Sequence, residues 1–395
     1  MPTSLKTQVA IIGAGPAGLL LSHLLHRFGI DSIIIERQTR GHVEGRIRAG
    51  VLEWGSVEVL REAGISGRMD SEGLIHDGFE LAFHGNRHRI DLKGLVGKSV
   101  MVYGQTELTK DLMSQRHTDG GRILFQVENV EIENLLDQNP VLRFSCDNQN
   151  QRIDANYIVG CDGFHGVSRK SIPDKILKTY ERVYPFGWLG LLTDRPPVAD
   201  EIVYANHERG FALCSLRSKS RSRYYIQCAA DDHVEKWSDE SFWKEFRRRI
   251  GKDLSSDLKT GPSIEKSIAP LRSFVAEPMR YRNLFLAGDA AHIVPPTGAK
   301  GLNLAISDVA VLAAAFEEFY RKGNKDCLEK YSETCLRRIW KAERFSWYLS
   351  KLMHQFPDGD PFEKKMQWAE FEYIMQSKSA SKAIAENYVG LPIEF

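Results

Sequence analysis

Three glycines near the start of the chain have the spacing of a dinucleotide-binding turn. Gly13, Gly15 and Gly18 follow the apolar run Val9–Ile12 and lead into an apolar helix. In such a turn the first glycine permits the tight bend, the second lets a pyrophosphate approach the backbone, and the third lets helix and strand pack closely. The helix N-terminus adds free N–H groups and a positive dipole, so this stretch predicts diphosphate binding.

An acidic residue lies at the distance from this turn that suits a ribose. Glu36 ends a second apolar run, Ile33–Ile35, and stands 18 residues after Gly18. A carboxylate about 20 residues beyond the glycines typically binds the ribose hydroxyls. Strand, glycines, helix, strand and acid, taken in this order, predict a site for an ADP-containing cofactor.

The uncharged run Thr7–His26 has a rival interpretation as a signal peptide or membrane span. Its glycines, Pro16 and the absence of an Ala-x-Ala cleavage site argue against both, and only a dinucleotide site explains Glu36.

The six cysteines form no CxxC pair, which favours reduced thiols in a cytoplasmic protein. A net charge of +1 gives no global attraction to nucleic acid or anionic lipid, and no metal-ligand spacing is present.

Basic residues and two further glycine motifs extend the predicted phosphate chemistry. Four arginines follow Glu36 within twelve residues, and guanidinium groups match phosphate oxygens. They are Arg37, Arg40, Arg46 and Arg48. Asp162-Gly163 ends an apolar strand just before His165 and Arg169, which makes a second candidate phosphate site. A third strand ends on Gly288-Asp289, and the glycine-rich loop after it leads into an apolar helix whose N-terminus suits an anionic ring.

The middle of the chain has the alternation of an antiparallel sheet. Short strands are predicted between 74 and 103, and three more, over 201–204, 210–217 and 223–227, are expected to be neighbours. Period two places Ser215 and Arg217 on one face, which could line a pocket for a small anion. We also predict a helix over 51–64 and a solvent-exposed Arg247–Arg249 run.

With these motifs in place, the chain resembles the class A flavoprotein aromatic hydroxylases. Gly13–Gly18 with Glu36, Cys161–Gly163 and Leu286–Asp289 look like the three FAD fingerprints of that family. The resemblance goes further, toward members that act on 4-hydroxybenzoate. It is carried by the segments 46–50, 184–190, 222–225, 292–304 and 385–390, which span the chain.

The resemblance implies a role for each matched residue. The FAD site would use Gly13, Gly15, Ala17, Gly18, Glu36, Arg46, Arg48, Gln105, Asp162, Arg223, Asp289, Gly298, Leu302 and Asn303. Ser215, Arg217 and Tyr225 would bind the substrate carboxylate, and Tyr204 and the Pro296 carbonyl would contact the phenol. Tyr388 would join the proton network and His76 would connect it to solvent. Taken singly, His76 is more readily a structural or surface histidine, and each tyrosine a packing residue.

The implied fold is mixed α/β, with a Rossmann-like FAD-binding domain, an inserted antiparallel-sheet substrate domain and a helical C-terminal region. The corresponding ranges are 1–73, 98–180 and 271–345; 74–97 and 181–270; and 346–395. The implied reaction is hydroxylation of 4-hydroxybenzoate at C3 by FAD, O2 and NAD(P)H, in the degradation of aromatic compounds by a homodimer. No side-chain nucleophile is required, because the cofactor transfers the oxygen.

The nicotinamide site leaves the coenzyme open. Arg37, Gln38, His42, His165, Arg169 and Arg272 match family positions associated with NADPH. His42 stands where the best-matched pattern has Tyr, and Arg40 and Gly41 also differ. The cations favour the 2′-phosphate of NADPH, and NADH or dual use stays open.

Three other functions are compatible with parts of this pattern. A hydroxylase of another phenol, such as 3-hydroxybenzoate or a salicylate-like acid, shares the FAD motifs, but the pocket tyrosines favour the para-hydroxy acid. A flavin halogenase would carry Trp-x-Trp-x-Ile-Pro, which Trp188-Leu189-Gly190 does not match. A non-catalytic binding protein, like the Rab GDP-dissociation inhibitors, uses the same scaffold. Asp289 and the glycine-rich loop argue against it.

Overall fold

A computed structural model of the chain describes residues 3–48, 50–137 and 139–395. Ala49, in the segment 46–50 that supports the family resemblance, lies outside the described residues. The architecture is mixed α/β, as predicted. The strands are β1 (Thr3–Ile12), β2 (Ser32–Ile35), β3 (Val51–Leu52), β4 (Leu74–His76), β5 (Gly78–Phe83), β6 (Asn86–Asp91), β7 (Val100–Val102), β8 (Arg122–Leu124), β9 (Glu128–Glu133), β10 (Val141–Cys146), β11 (Gln149–Gly160), β12 (Lys178–Thr193), β13 (Val203–Asn206), β14 (Ala212–Ser218), β15 (Arg221–Ala229), β16 (Glu265–Glu277), β17 (Arg280–Tyr281), β18 (Leu284–Leu286) and β19 (His292–Ile293).

The helices carry the connections between strands and most of the C-terminal part. They are α1 (Pro16–Arg27), α2 (Arg40–Gly45), α3 (Trp54–Glu62), α4 (Gly67–Glu72), α5 (Leu92–Val96), α6 (Gln105–Thr118), α7 (Asp239–Ile250), α8 (Lys252–Asp257), α9 (Gly301–Lys322), α10 (Asp326–Met353), α11 (Pro361–Gln376) and α12 (Lys378–Val389). Short 3-10 turns cover 169–171, 234–236, 288–290 and 296–298.

The first sheet has a parallel centre in the order β18-β11-β1-β2-β8. Its apolar strands are buried on both faces, as is usual where helices cover a parallel sheet, and α1 packs between α6 and α9. Gly13, Glu36, Cys161 and Ala287 each follow the carboxyl end of one of these strands. The three motifs read from the sequence therefore meet at one edge of the sheet, where open α/β sheets bind their ligands.

The second sheet has the order β19-β16-β12-β15-β14-β13-β5-β6 and is antiparallel except where β5 pairs with β13. The prediction that β13, β14 and β15 are neighbours is confirmed. One face, with Cys214, Tyr224 and Ile226, packs on α7. The other face, with Trp188 and Tyr204, packs on α10 and α12.

The predicted helix over 51–64 is wrong at its start. Val51 and Leu52 form β3, which pairs with β7 in a small sheet of order β3-β7-β4, and α3 begins only at Trp54. The apolar run was compatible with either element, and pairing with Val102 and Met101 decided in favour of a strand.

The predicted exposure of the Arg247–Arg249 run is wrong for its last member. Arg249 is 8% exposed and donates to Glu245, one helical turn earlier, and to the carbonyl oxygens of Phe211 and Gln227. The helical period places Arg249 beside Phe246 on the face that packs on the sheet, so the guanidinium ties α7 to β15.

Helix α10 has 28 residues and joins the two sheets. At its C-terminal end the Trp188 indole donates to His354 Nε2 at 2.7 Å, and the Asn206 amide donates to the carbonyls of Leu352 and Met353. Toward its middle, Arg338 forms an ion pair with Glu53, 2.5 Å away, just after β3 of the small sheet. Nearer its start, the Tyr331 hydroxyl donates to the Leu286 carbonyl of β18 in the first sheet. The domain division given above remains a prediction.

Candidate functional site

The glycine turn after β1 is shaped by contacts that only glycine allows. Gly13 has a φ of +107°, and a Cβ there would lie 2.3 Å from the Cys161 carbonyl oxygen. A Cβ at Gly18 would lie 2.0 Å from the Gly13 carbonyl oxygen. At Gly15, by contrast, a Cβ would meet nothing within 4 Å, so this side of the turn is open. The first and third glycines thus serve packing, and the second leaves room for a ligand.

Glu36 is held against this turn by the backbone. Its carboxylate accepts hydrogen bonds from the N–H groups of Ala14 and Gln38, each at 2.8 Å. Helix α1 begins beside it, and its first turn carries no acidic residue and no capping side chain. The N–H groups at this end of α1 are therefore available to an anion.

Several charged side chains lie near one another beside Glu36. Partial burial and the neighbouring Arg48 lower the pKa of Arg46, while Asp289 has the opposite effect. Arg37 and Glu36 act on the same guanidinium. Residues that follow α2, β2 and β18 are therefore close enough to interact, and their excess of positive charge suits a diphosphate.

The other two motifs, Cys161–Gly163 and Leu286–Asp289, lie at the ends of the neighbouring strands β11 and β18. One oxygen of Asp162 accepts from the N–H and hydroxyl of Ser168, at 2.9 and 2.8 Å, while its Oδ1 is buried without a partner among the described residues. Burial raises the pKa of Asp162. The Gly288 N–H donates to the Asp308 carboxylate, 2.9 Å away. The next residue, Asp289, is exposed to solvent. The donor set, the open Gly15 side and the unpartnered Asp162 oxygen fit FAD.

The N-terminal part of helix α9 lies against the turn after β18, where a Cβ at Gly288 would come 3.3 Å from the Ala305 side chain. Asn303 in its first turn is 1% exposed and is fully engaged, accepting from Glu53 N–H and donating to the carbonyls of Val51 and Ala299. Gly298 is buried against Ser346, and Leu302 is half-buried on the core of the first sheet. Gln105 is the first residue of α6 and is half-buried.

The predicted nicotinamide residues fall into two groups. His165, Arg169 and Arg272 surround the Phe164 ring, with the Arg272 guanidinium 4.5 Å from its centroid. Arg169 donates to the carbonyls of Ala290 and Phe164, which ties the second motif to the third. The second group is formed by Arg37, Gln38 and His42 at the start of α2, where the Thr39 side chain caps the helix by accepting from the His42 N–H.

One face of the second sheet carries the predicted carboxylate-binding residues together. Tyr204, Leu213 and Tyr225 are in register on three adjacent strands, and Ser215 is in register with Arg223. Arg217 donates to the Ser215 hydroxyl at 3.1 Å, and its Nε is buried without a partner in the described part of the chain. The Ser215–Arg217 bond agrees with the predicted shared face, although the register of β14 with β15 shifts at Arg217. The Arg217 Nε remains available for an anion.

Arg223 lies beside this group and is buried. It donates to Ser267, pairs with Glu265 and stacks over the Tyr225 ring. Burial lowers the pKa of Arg223. A Cβ at Gly190 would come within 2.7 Å of the Arg223 guanidinium, so this glycine makes the space that Arg223 and Tyr225 occupy.

The two predicted tyrosines are joined in the core between the sheet and α12. The Tyr204 hydroxyl lies 3.0 Å from the Tyr388 hydroxyl and donates to the Thr297 carbonyl, also at 3.0 Å. Phe79 packs on both rings. Burial raises the pKa of Tyr204 to about 12, and the bond to Tyr388 partly offsets this. The Pro296 carbonyl is near in sequence and accepts from Ala299 N–H.

His76 is buried on β4 rather than exposed, with 1% of its surface accessible. Neither ring nitrogen has a hydrogen-bond partner among residues 3–48, 50–137 and 139–395. Burial lowers the pKa of His76, against the opposing charges of Glu201 and Asp200. A neutral, unpartnered imidazole can accept or donate one proton, but the structure does not join it to Tyr388 directly.

Sequence reasoning missed a buried ionic cluster beneath Tyr388. Lys300 pairs with Glu53 at 2.5 Å and donates to the carbonyls of Asn387 and Tyr388, while Arg338 bonds the other Glu53 oxygen. A Cβ at Gly390 would lie 2.3 Å from Glu53. The only signal in the sequence was Lys300 inside the glycine-rich loop; Glu53 and Arg338 gave none.

Two features are absent from the described residues. No helix there combines the length and apolarity needed to cross a bilayer. No group of three or more His, Cys, Asp or Glu side chains there is arranged to hold a metal ion.

Comparison with known proteins gives concordant matches. The FAD binding domain family matches residues 6–346. The chain is 53% identical over 392 residues to the p-hydroxybenzoate hydroxylase of Acinetobacter baylyi, covering 99% of this chain and 97% of that protein. It is 25% identical to a 6-hydroxy-3-succinoylpyridine 3-monooxygenase of Pseudomonas putida, over 96% of this chain and 95% of the other. The crystal structure of p-nitrophenol 4-monooxygenase from Pseudomonas putida superposes with a TM-score of 0.84 at 17% identity, covering 99% of this chain and 100% of that one.

Proposed function

Because this chain belongs to the FAD binding domain family and is a flavin-dependent aromatic hydroxylase, we propose that it converts 4-hydroxybenzoate to 3,4-dihydroxybenzoate. The co-substrates are O2 and NAD(P)H. One observation carries the choice of substrate: the Tyr204–Tyr388 pair ends a buried sheet face that also presents Ser215 and Arg217. A phenol at one end and a carboxylate at the other match that arrangement.

The cofactor half of the site would hold FAD by its diphosphate and ribose. The N–H groups at the start of α1 and the arginines Arg46 and Arg48 would bind the diphosphate, and Glu36, which is held against the turn by the Ala14 N–H, would bind the adenosine ribose. Gln105 and Asp289 would bind other parts of the cofactor. When bound, FAD supplies the reduction of O2 and the transfer of one oxygen atom to the aromatic ring.

The substrate carboxylate is bound by Arg217, Ser215 and Tyr225. The Ser215 hydroxyl holds the Arg217 guanidinium in place at 3.1 Å, which leaves its remaining donors for the ligand. Charge-assisted hydrogen bonds of this kind fix both position and orientation. The ring then lies along the face between Arg217 and Tyr204.

The phenol end is activated by removing its proton. A free phenol titrates near pH ~10, and a phenolate makes the adjacent ring carbon more electron-rich. Tyr204, whose pKa is raised to about 12 by burial, stays protonated near neutral pH and acts as a relay rather than a stored base. Tyr388 is the next member of the relay, the Pro296 carbonyl contacts the phenol, and His76 connects the relay to solvent.

Arg37, Gln38, His42, His165 and Arg272 bind the nicotinamide coenzyme, for which we favour NADPH. The Arg272 guanidinium stacks on the face of the Phe164 ring and forms an ion pair with Glu181 at 3.2 Å. Arg169 contributes mainly by holding the Ala290 and Phe164 carbonyls. We further propose a cytoplasmic homodimer with the domain ranges predicted from the sequence.

Aerobic NADPH and NADH oxidation by the FAD-loaded protein, with and without 4-hydroxybenzoate, tests the proposal. We expect strong stimulation by 4-hydroxybenzoate and an equal amount of 3,4-dihydroxybenzoate. Stimulation that yields only hydrogen peroxide would mean that another hydroxybenzoate is the substrate. No stimulation by any hydroxybenzoate would contradict hydroxylation.

A further inference from the structure

Thr297 makes two hydrogen bonds that no predicted role explains. Its carbonyl oxygen accepts from the Tyr204 hydroxyl at 3.0 Å, and its own hydroxyl lies 2.9 Å from the Ser350 hydroxyl on α10. Thr297 and Ser350 are both fully buried. A side-chain bond therefore fixes the peptide whose carbonyl the catalytic tyrosine contacts.

These contacts decide which group donates and which accepts in the hydroxyl chain, the hydrogen-bonded pair of Tyr204 and Tyr388, in the substrate-free protein. A carbonyl oxygen can only accept, so Tyr204 must donate its one hydrogen to Thr297. The Tyr204 oxygen is then the acceptor in its bond with Tyr388. In this state the Tyr204 hydrogen points at the backbone, away from the relay that would carry a proton outward.

The partner of Thr297 sits on a rigidly anchored part of α10. Four residues after Ser350, His354 accepts from Trp188 and contacts the Ser350 carbonyl through Nδ1 at 2.9 Å. Asn206, two residues after Tyr204 on β13, donates to the carbonyls of Leu352 and Met353. The strand that carries Tyr204 and the hydroxyl that holds Thr297 are thus fixed to the same helical end.

We propose that Thr297, held by Ser350, is a positioning residue whose carbonyl competes with the bound phenol for the Tyr204 hydrogen and so limits how readily the substrate ionises. This inference rests on the proposed function of the same site. In the neutral complex the phenol donates to the Tyr204 oxygen, and the Tyr204 hydrogen stays on Thr297.

Ionisation requires that this bond be given up. The phenol proton passes to the Tyr204 oxygen, the Tyr204 proton passes to the Tyr388 oxygen, and the Tyr388 proton passes to water. Tyr204 keeps its new proton and donates a hydrogen bond with it to the phenolate, so the Thr297 carbonyl is left without that donor. A well-placed Thr297 carbonyl therefore favours the neutral phenol.

The charged groups around the pair are not altered by changes at Thr297. Tyr388 faces Tyr204 from α12, and Lys300 lies 5.9 Å from the Tyr388 ring centroid, paired with Glu53. Arg217 lies further along the sheet face, and His76 is uncharged at neutral pH because burial lowers its pKa. A shift caused by Thr297 variants can then be assigned to the hydroxyl chain.

The test is the pKa of bound 4-hydroxybenzoate, followed by phenolate absorbance in the oxidised, FAD-loaded enzyme without coenzyme. Thr297→Val keeps the side-chain shape and removes the bond to Ser350, and Ser350→Ala breaks the same bond from α10. Thr297→Ser should restore it. Ser346→Ala is the matched control, because the Ser346 hydroxyl is buried one turn away and has no partner in the described chain.

We expect Thr297→Val and Ser350→Ala to lower the pKa of the bound phenol, with about twofold to fivefold more phenolate at a fixed pH, as befits one weakened neutral hydrogen bond. Thr297→Ser and Ser346→Ala should match the wild type. An unchanged pKa, or one that moves up toward that of free phenol, would overturn the inference, since a merely loosened pocket moves it upward. Failure of the wild-type protein to bind 4-hydroxybenzoate would instead contradict the proposed function.

Discussion

The proposed cofactor half of the site is formed largely by backbone atoms, and the proposed substrate half by side chains. At the glycine turn, two of three glycines are required because a Cβ would strike a carbonyl oxygen, and Glu36 is held by two peptide N–H groups. On the sheet face, Arg217 is held by Ser215, and Tyr204 by Tyr388 and Thr297. Substitutions that add a side chain to a glycine should therefore disrupt the cofactor half, and substitutions that remove a polar side-chain group should disrupt the substrate half.

The largest effect is expected from Gly13→Ala. The new Cβ would lie 2.3 Å from the Cys161 carbonyl oxygen, at a φ of +107° that alanine disfavours. Strain and overpacking together predict a loss of about 3 kcal/mol in the free energy of unfolding, measured by urea denaturation of the FAD-free protein. Gly15→Ala is the control: it should leave that stability unchanged and weaken FAD binding about tenfold, because its methyl group projects to the open side. Equal effects of both changes on stability would contradict the backbone account.

Arg217→Gln tests the side-chain half. Loss of charge-assisted bonds to a carboxylate predicts about 100-fold weaker binding of 4-hydroxybenzoate, or about 3 kcal/mol, by titration calorimetry. FAD content should not change. Lys219→Gln removes the same charge from an exposed position at the nearby hairpin turn and should bind substrate normally. If both variants weaken binding alike, Arg217 acts through general charge rather than as a ligand.

These two halves also differ in what the sequence could predict. The glycine turn and Glu36 lie within 24 residues, and their roles follow from local spacing. The alternation of β14 predicted one face for Ser215 and Arg217, and the two side chains do meet, in a hydrogen bond of 3.1 Å. Thr297 and Ser350, by contrast, meet across 53 positions, and Glu53 meets Lys300 across 247.

Contacts of that separation leave no periodic trace, so the pocket tyrosines could be assigned only through a family resemblance. The same limit explains the error at Val51 and Leu52, where pairing with β7 outweighed helical periodicity. It also explains Arg249, whose buried guanidinium donates to the carbonyls of Phe211 and Gln227, both far from α7 in the sequence.

A smaller effect concerns pH and the anchoring of α10. Burial lowers the pKa of His354 to about 3, so the unfolded chain, whose histidine titrates near 6.5, binds its proton first as the pH falls. Stability is therefore lost progressively from about pH 6.5 toward pH 3, by about 2 kcal/mol at pH 5. His354→Gln should remove this component, measured as the difference in urea unfolding between pH 7 and 5. The difference between variants is needed because Glu343, whose pKa burial raises to about 7, acts in the opposite direction. An identical pH dependence in both proteins would show that His354 does not stay neutral.

The most direct test of the account is product formation by Tyr204→Phe in the presence of NADPH, O2 and 4-hydroxybenzoate. The variant keeps the ring that packs on Phe79 and removes only the hydroxyl between Tyr388 and the Thr297 carbonyl. We expect normal FAD and substrate binding, about 100-fold slower hydroxylation, and oxidised NADPH recovered as hydrogen peroxide. An unchanged yield of 3,4-dihydroxybenzoate per NADPH would contradict the claim that this tyrosine pair ionises the substrate.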